Sequence, residues 1–375
     1  MRHNRVLVTG GAGFIGSHVA DRLVARGYRV RVLDSLEPQV HGESAGYRNQ
    51  EVEYSVGSIL DASTTARALS DVDAVVHLAA QVGVGQSMYD MRRYLRENCE
   101  GTASLLEELA QRRGSVTTLI VASSMSIYGE GQYRCTSCET DDARVHRPSV
   151  RLEAGEWEPQ CLVCGSIAEP IATSEDKRLE PSSVYAVTKR DQEELCLVAA
   201  PAYGVRATAL RFFNVYGSRQ SLSNPYTGVA AIFAARLLNG NSPLVFEDGA
   251  QSRDFVHVSD VARGIELALE REKAAGAAIN LGTGRATTVL GIGRALADEL
   301  GVDMQPTMTA QFRVGDIRHC FADIERARDL LGYEPLVGLA DGLKDLADWI
   351  RVARPPAVDR VEMSTRELVE RGLVV

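Results

Sequence analysis

Tyr185 and Lys189 lie four residues apart in the segment 182–189, which reads SSVYAVTK. On a helix, side chains four residues apart share one face. A cation beside a phenol favours the phenolate and lowers the phenol pKa. A phenolate can remove a proton from an alcohol, and Ser124, which ends an apolar run upstream, can hydrogen-bond the same oxygen. Such a pair is common by chance, so its meaning depends on the elements that hold it.

A glycine-rich turn near the start of the chain indicates which reaction that pair could take part in. Residues 6–16 read VLVTGGAGFIG, an apolar run that leads into Gly10, Gly13 and Gly16, and the amphipathic stretch that follows ends at Gly27. The pattern predicts strand, tight turn and helix. Glycines let a pyrophosphate approach the backbone, and the helix N-terminus offers N–H groups to it. We therefore expect a dinucleotide site here rather than a plain glycine turn.

Asp34 indicates which dinucleotide is bound. It closes the second apolar run, about 20 residues after the glycines, where a carboxylate can accept hydrogen bonds from an adenosine ribose. The same carboxylate would repel the 2′-phosphate of NADP, and Ser35 supplies no positive charge to bind that group. NAD is favoured, and the alternative is that Asp34 is only a helix cap or a loop acid.

The composition excludes several other classes of protein. The chain has 375 residues, 45% of them hydrophobic, and a net charge of −9 with no basic stripe, so nucleic acid is not an expected partner. It has no apolar run of about 20 residues, so no membrane span is expected. No signal peptide is visible before the first strand, and we expect a cytoplasmic protein.

Seven short apolar runs alternate with helical patterns, which predicts an α/β fold with a doubly wound parallel sheet. Beyond residue 212 this alternation weakens into segments rich in Gly, Pro and Asn. The expected organisation is a Rossmann-type domain over 1–212 with 255–283 returning to its sheet, a smaller substrate domain over 213–254 and 284–350, and a tail over 351–375. The expected strands are 6–9, 30–33, 52–56, 74–78, 119–122, 207–210 and 278–281.

Four cysteines predict a metal site inside an insertion at 130–176. Cys135 and Cys138 form one Cys-x-x-Cys pair, and Cys161 and Cys164 form a second pair after 22 intervening residues. Four thiolates suit a closed, tetrahedral structural zinc, which would stabilise a segment poor in apolar residues. Disulfides are the alternative. We expect the lobe to lie over the mouth of the active site.

These motifs together resemble the extended short-chain dehydrogenases/reductases of the NAD-dependent epimerase/dehydratase family, which act on nucleotide sugars. The resemblance runs from TGGAGFIG at 9–16 to LGYEP at 331–335. It implies that Ser124, Tyr185 and Lys189 are catalytic. It also implies cofactor contacts from the glycine turn, the acid, the catalytic pair and the residues after neighbouring strands: Gly10, Gly13, Phe14, Ile15, Gly16, Asp34, Ser58, Ile59, Leu78, Ala79, Ala80, Asn98, Tyr185 and Lys189. Ser58 departs from the acid that the family often places there to contact adenine.

The same resemblance implies a substrate site and a quaternary structure. Asn214 matches an asparagine that contacts substrate phosphates, and Arg253 and Arg318 lie in segments similar to diphosphate-binding ones. Planar guanidinium groups suit phosphate oxygens. The full set of expected substrate contacts is Ser87, Ser124, Ser126, Asn214, Arg253 and Arg318. Relatives commonly form homodimers through the helix near 96–112 and the Tyr185 helix.

The expected reaction is 4-epimerisation through a transient 4-keto sugar. Dehydratases and decarboxylases of the family carry acids directly after the catalytic serine, whereas this chain has Met125 and Ser126 there. The segments at 82–89 and 312–320, together with the cysteine-bearing insertion, are similar to those of bacterial dTDP-L-rhamnose 4-epimerases. A UDP-glucose or UDP-glucuronate 4-epimerase, a 4,6-dehydratase or decarboxylase, and a non-catalytic NAD-binding scaffold are the alternatives.

Overall fold

The structure, a computed structural model, describes residues 4–41, 47–354 and 357–375. Its strands are β1 (Arg5–Thr9), β2 (Arg29–Asp34), β3 (Glu53–Val56), β4 (Ala74–His77), β5 (Thr118–Ser124), β6 (Gln132–Arg134), β7 (Val145–His146), β8 (Gln160–Cys161), β9 (Glu169–Ile171), β10 (Arg206–Phe212), β11 (Asn214–Tyr216), β12 (Leu244–Val245), β13 (Ser252–Arg253), β14 (Phe255–His257), β15 (Ala278–Leu281), β16 (Thr287–Thr288), β17 (Thr307–Met308) and β18 (His319–Cys320).

Its α-helices are α1 (Phe14–Ala25), α2 (Pro38–His41), α3 (Ala62–Ala68), α4 (Val84–Ser87), α5 (Met91–Tyr94), α6 (Gly101–Gln111), α7 (Ser149–Glu153), α8 (Val184–Ala202), α9 (Val229–Leu238), α10 (Val258–Glu270), α11 (Val289–Leu300), α12 (Glu325–Leu331), α13 (Leu339–Ala353) and α14 (Val361–Glu370). A π-helical turn over Leu95–Glu100 leads into α6, and short 3₁₀ turns cover Met125–Tyr128 and Glu272–Ala274. No helix in the described part of the chain is both long and apolar enough to cross a bilayer.

A seven-stranded sheet forms the core of the molecule, with strand order β15-β10-β5-β4-β1-β2-β3. All of its strand pairs are parallel. Each of the seven apolar runs is one of these strands, so the predicted α/β fold with a parallel sheet is confirmed. The chain order reverses between β1 and β4, and ligands of such sheets bind in the crevice at that point, beyond the carboxyl ends of the strands.

Helices cover both faces of the sheet. Apolar side chains of α1 and α10 pack on one face in one buried cluster, and those of α3, α6 and α8 pack on the other. Helix α8 is also fixed by charge: the Arg211 guanidinium on β10 donates to the Glu193 carboxylate on α8 at 2.6 and 3.0 Å, and to the Tyr128 hydroxyl at 2.8 Å. Because both ions of this pair are buried, α8 has a defined position over β5 and β10.

A second unit lies beyond the carboxyl ends of the strands. Helices α9, α11 and α13 form its apolar core, and short two- and three-stranded sheets surround them. Helix α14 and residues 373–375 return to this unit, where Val375 pairs with Phe312. The carboxyl edge of the large sheet and this unit thus face each other.

The lobe at 130–176 is built from two short antiparallel strand pairs, β6 with β9 and β7 with β8, and the small helix α7. It packs against the segment 312–320, where the Trp157 and Phe312 rings lie 6.4 Å apart and Glu158 pairs with Arg318. Its residues are not among those that line the large cavity described below. The expectation that the lobe covers the mouth of the site is therefore corrected: it lies behind one wall.

Candidate active site

A cavity of about 1590 Å³ separates the carboxyl edge of the large sheet from the second unit. Sites for single small ligands usually span about 300–1,000 Å³, so this volume accommodates two ligands side by side. One side is lined by the turns after β1, β2 and β3 and by residues 78–81 after β4, and the other by residues from 82–88, 213–253, 313–317 and 358–373. We call these the cofactor side and the substrate side.

The glycine turn closes tightly around its own backbone on the cofactor side. Gly10 has φ +67°, a left-handed conformation that favours glycine, and a Cβ on Gly16 would lie 2.3 Å from the Gly10 carbonyl oxygen. Gly13 begins α1 without a side-chain cap, and the first turn of that helix has no acidic residue. The donor set is therefore backbone N–H groups at a positive helix end, which fits a dinucleotide diphosphate.

Asp34 lines the cofactor side with its carboxylate held in place. The Ala12 N–H donates to it at 3.0 Å, the Leu36 N–H donates at 2.9 Å, and the His41 ring lies 3.5 Å away. Burial acts to raise the pKa of Asp34, but the hydrogen bonds from His41, Leu36 and Ala12 outweigh it and hold the pKa below its usual value. An ionised acid at this position suits a ribose diol and not a 2′-phosphate.

Thirteen of the fourteen expected cofactor residues line the cavity. Asn98 is the exception: it is fully buried, its side-chain amide donates to the Gln81 carbonyl and the Thr188 hydroxyl, and its carbonyl accepts from the Gln81 N–H. This placement corrects the expected cofactor contact. Asn98 ties the loop after β4 to α8, from within the π-helical turn.

Ser124 and the Tyr185–Lys189 pair meet at the boundary between the two sides. Ser183 caps α8, so that Tyr185 and Lys189 face the cavity from its first two turns. Burial raises the pKa of Tyr185, and a hydrogen bond with Ser124 opposes that rise. The expected lowering of the phenol pKa is thus absent from this chain alone and would need further positive charge at the site.

Lys189 is almost fully buried and donates to the Gln192 side-chain carbonyl at 2.8 Å. Burial lowers its pKa from 10.5 to about 8. His77 supports this arrangement from below, with its ring between the Thr9 and Thr102 hydroxyls at 2.8 and 2.9 Å.

Three expected substrate residues line the cavity beside Ser124: Ser126, Asn214 and Arg253. The Ser126 hydroxyl donates to the Ser124 hydroxyl at 2.9 Å, and the Asn214 side-chain carbonyl is buried with no partner among the described residues. Ser87 does not line the cavity, which corrects its expected role. It is fully buried, and its hydroxyl accepts from the Tyr185 N–H at 3.0 Å, so it positions the start of α8.

Arg318 also lies away from the cavity. Its guanidinium is 1% exposed and pairs with the carboxylates of Glu158, Glu247 and Asp248 at 2.5–2.8 Å. The expected diphosphate contact is therefore corrected: Arg318 joins the lobe to the second unit. Its backbone carbonyl accepts from Arg253, which keeps the Arg253 guanidinium in the cavity wall.

Arg313 is a cavity-lining cation that no sequence motif indicated, and Arg219 and Arg360 also line the cavity. Its guanidinium lies 4.1 Å over the Phe246 ring, and its Nε is buried without a partner among the described residues. Burial lowers its pKa. Arg313 and Arg318 belong to one segment, FRVGDIRH, and the turn at Gly315 was the available signal that the two arginines could face opposite ways.

The four lobe cysteines form one cluster. The Cys135 and Cys164 sulfurs lie 3.5 Å apart, those of Cys138 and Cys161 lie 3.8 Å apart, and all four lie within 4.8 Å of one another. Zinc–sulfur bonds of about 2.3 Å in a tetrahedron place sulfurs about 3.8 Å apart. The backbone N–H groups of Cys138 and Cys164 point at the sulfurs of Cys135 and Cys161, and no disulfide joins these residues. The cluster fits a structural zinc.

Comparison with known proteins places this geometry in a family. The profile of the NAD dependent epimerase/dehydratase family matches residues 6–149 and 161–282. The dTDP-L-rhamnose 4-epimerase of Burkholderia thailandensis is 34% identical over 92% of this chain and 94% of its own length.

Two solved structures share the fold. The UDP-glucose 4-epimerase of Thermotoga maritima, with UDP-glucose, has a TM-score of 0.77 and 33% identity over 93% of this chain and 99% of its own. MoeE5, in complex with UDP-glucuronic acid and NAD, has a TM-score of 0.74 and 30% identity over 93% and 100%. The expected family and the expectation of an enzyme are confirmed: the chain belongs to the NAD-dependent epimerase/dehydratase family.

Proposed function

We propose that this protein is an NAD-dependent nucleotide-sugar 4-epimerase that works through a transient 4-keto sugar, with a dTDP-L-rhamnose-like substrate. The observation that carries the proposal is that Ser124, Tyr185 and Lys189 line one cavity together, at the boundary of the cofactor and substrate sides. Both ligands of a hydride-transfer reaction have room in one cavity. A UDP-glucose or UDP-glucuronate 4-epimerase is the second candidate, because the solved relatives bind such sugars.

Tyr185 is the acid and base of this reaction. As the C4–H electron pair leaves as hydride, the phenolate takes the C4 hydroxyl proton, and it returns that proton when hydride comes back to the opposite face of the ring. NAD, held by the glycine turn and Asp34, would supply the hydride acceptor and a positive charge beside Tyr185. Ser124 donates a hydrogen bond to the C4 oxygen, and the Lys189 ammonium would add to that positive charge in favouring the phenolate form of Tyr185.

The residues after Ser124 support epimerisation over elimination. Met125 and Ser126 have no carboxyl group for proton transfer at C5 or C6, and the acids that line the described cavity wall are Asp34, Glu37, Glu97 and Asp316. The first three belong to the cofactor side. Arg313 and Arg253 supply the positive charge that a nucleoside diphosphate needs in an acidic protein.

We also propose a structural zinc and a homodimer. Cys135, Cys138, Cys161 and Cys164 would bind the zinc with no open coordination position, so the metal stabilises the lobe and takes no part in the reaction. The homodimer would use α6 and α8, because α8 exposes Val187, Leu195 and Val198 to solvent. Light scattering of the purified protein tests the dimer.

The test of the activity is turnover of dTDP-L-rhamnose, UDP-glucose and UDP-glucuronate by the purified protein, followed by NMR, with absorbance at 340 nm for reduction of bound NAD. We expect turnover and a roughly 10³-fold lower rate in Tyr185→Phe with unchanged NAD content. Tyr203→Phe, at the exposed end of α8, is the matched control. Turnover by Tyr185→Phe at the wild-type rate, or no turnover of any of the three sugars by the wild type, would refute the proposal.

A further inference from the structure

Residues 361–375, which comprise α14 and the short segment after it, line the substrate side of the cavity. Val361, Ser364, Leu368 and Leu373 all contribute to its wall. No sequence motif indicates a role for this tail. Its contacts show two separate connections to the site.

The first connection runs from the end of the tail to Arg313. The Phe312 N–H donates to the Val375 carbonyl at 2.9 Å, the Val375 N–H donates back at 3.0 Å, and the Val314 N–H donates to the Leu373 carbonyl at 3.0 Å. Arg313 therefore stands in a β-ladder that the tail completes. Val374 is buried in one cluster with Leu368 and Phe246, the ring beneath the Arg313 guanidinium.

The second connection runs from α14 to the loop beside the catalytic residues. The Glu367 carboxylate accepts from the Tyr89 hydroxyl at 3.0 Å and from the Tyr226 hydroxyl at 3.2 Å, and those two hydroxyls lie 2.7 Å apart. Leu368 lies 3.3 Å from where a Cβ on Gly85 would stand. The loop at 82–89 also contains Ser87, which holds the N–H of Tyr185. The tail thus contacts both the segment of Arg313, the cation proposed to bind the diphosphate, and the segment 82–89 that positions Tyr185.

The chemistry of this wall is apolar. Leu368 and Leu373 face the cavity, with Val84 and Met88 of the neighbouring loop, and Glu367 behind them is paired with Arg371. A carboxylate on a bound sugar would lose hydration against the leucines. A methyl group at the same place would be buried favourably.

We propose that the tail is a specificity-determining part of the substrate site: residues 373–375 hold Arg313 ready for the substrate diphosphate, and Leu368 selects an uncharged 6-deoxyhexose over a hexuronate. The proposal rests on the proposed function for the sugar and names the class of sugar that fits. The diphosphate part stands on the contacts of Arg313 alone.

Deletion of residues 372–375 tests the first part. We expect Kd for dTDP and UDP, measured by calorimetry on the NAD-loaded protein, to rise at least 10-fold, while NAD content stays at one per chain. Arg313→Ala in the full chain is the reference for complete loss of the cation. Unchanged dTDP and UDP affinity in the deletion variant would overturn this part, whether or not any sugar is turned over.

Leu368→Lys tests the second part, with Val369→Lys on the exposed face of the same helix as the matched control. We expect Leu368→Lys to lower the ratio of kcat/KM for dTDP-L-rhamnose to that for UDP-glucuronate at least 10-fold, and Val369→Lys to leave it within twofold. Equal ratios in the two variants would overturn the selection. If the wild type turns over neither sugar, the proposed function fails, and the binding test still decides the role of residues 372–375.

Discussion

The two sides of the cavity are built in different ways. The cofactor side comes from the turns after four adjacent strands, and its contacts are mostly backbone to backbone, such as the approach of Gly16 to the Gly10 carbonyl. The substrate side is assembled from segments far apart in the chain, at 82–89, 246–253, 312–317 and 361–375, which side-chain ion pairs and hydrogen bonds join.

This difference separates what is shared among relatives from what varies. A backbone cradle recognises a diphosphate whatever its neighbours are, so it suits a cofactor common to a family. Contacts between distant side chains change with single substitutions or with an added segment, so they suit choice among sugars. The lobe and the tail both contact one segment at 312–320, and residues 313–317 of that segment line the substrate side.

Gly16→Ala should break the cofactor side with the largest effect. The added methyl would lie 2.3 Å from the Gly10 carbonyl and 2.5 Å from the Gly11 Cα, so the turn must open. We expect bound NAD to fall more than 100-fold at equal protein and the free energy of unfolding to fall by about 1–3 kcal/mol. Gly338→Ala, where a Cβ meets nothing nearer than 3.6 Å, is the control, and retention of NAD by Gly16→Ala would contradict the cradle.

Arg313→Ala and Arg318→Ala should separate substrate binding from structural stability on the substrate side. Loss of the Arg313 charge should raise KM for the nucleotide sugar about 10- to 100-fold with little change in unfolding, because a charged hydrogen bond contributes roughly 1.5–3 kcal/mol. Loss of Arg318 leaves the buried Glu247 carboxylate with Arg147 alone and should cost about 3 kcal/mol of unfolding free energy. Substrate titration and denaturant unfolding of both variants check this, and the reverse pattern would return Arg318 to the site.

Removal of zinc by a chelator should have a smaller effect on the site. We expect the lobe at 130–176 to lose hydrogen-exchange protection, and KM to rise a few fold as Glu158 releases Arg318, whereas NAD content stays constant. Exchange measured before and after chelation, with metal analysis of the same samples, decides the matter. Unchanged protection in the lobe after complete loss of metal would refute the structural zinc.

The same contrast explains which features were predictable from the sequence. All seven strands of the large sheet were, because each is a local apolar run, and the glycine turn and Asp34 lie within a single strand–turn–helix–strand unit. Ser87, Asn98 and Arg318 were placed at the site by similarity, but their neighbours in space direct their side chains elsewhere. Arg313 and Arg318 are five residues apart in the sequence. Arg318 points away from the cavity because the carboxylates of Glu158, Glu247 and Asp248, which are distant in the sequence, lie beside it in the fold.

Acidification should destabilise the strands beneath the cofactor side before it destabilises the segment behind the substrate side. This is the smallest of the expected effects, and it tests most directly the difference in how the two sides are built. Burial lowers the pKa of His77 to about 3 and that of His18 to about 4, so folding favours their neutral forms. Stability from these groups is complete above pH 6.5 and is lost as pH falls toward 3. On the substrate side, hydrogen bonds from His319 and Arg318 overcome burial and lower the pKa of Glu158 to about 2, so that carboxylate loses its contribution only below pH 4.5.

At pH 5 the cost from His77 is about 2 kcal/mol, at 1.36 kcal/mol for each pH unit below 6.5. Hydrogen exchange at pH 5 and pH 7 should therefore show lower protection in β1 and β4, around His77, before any change in β18, beside Arg318. His77→Gln should flatten the pH dependence of unfolding between pH 6.5 and 5. If β18 loses protection before β1 and β4 on acidification, the ion pairs and not the buried histidines limit the acid stability of the protein.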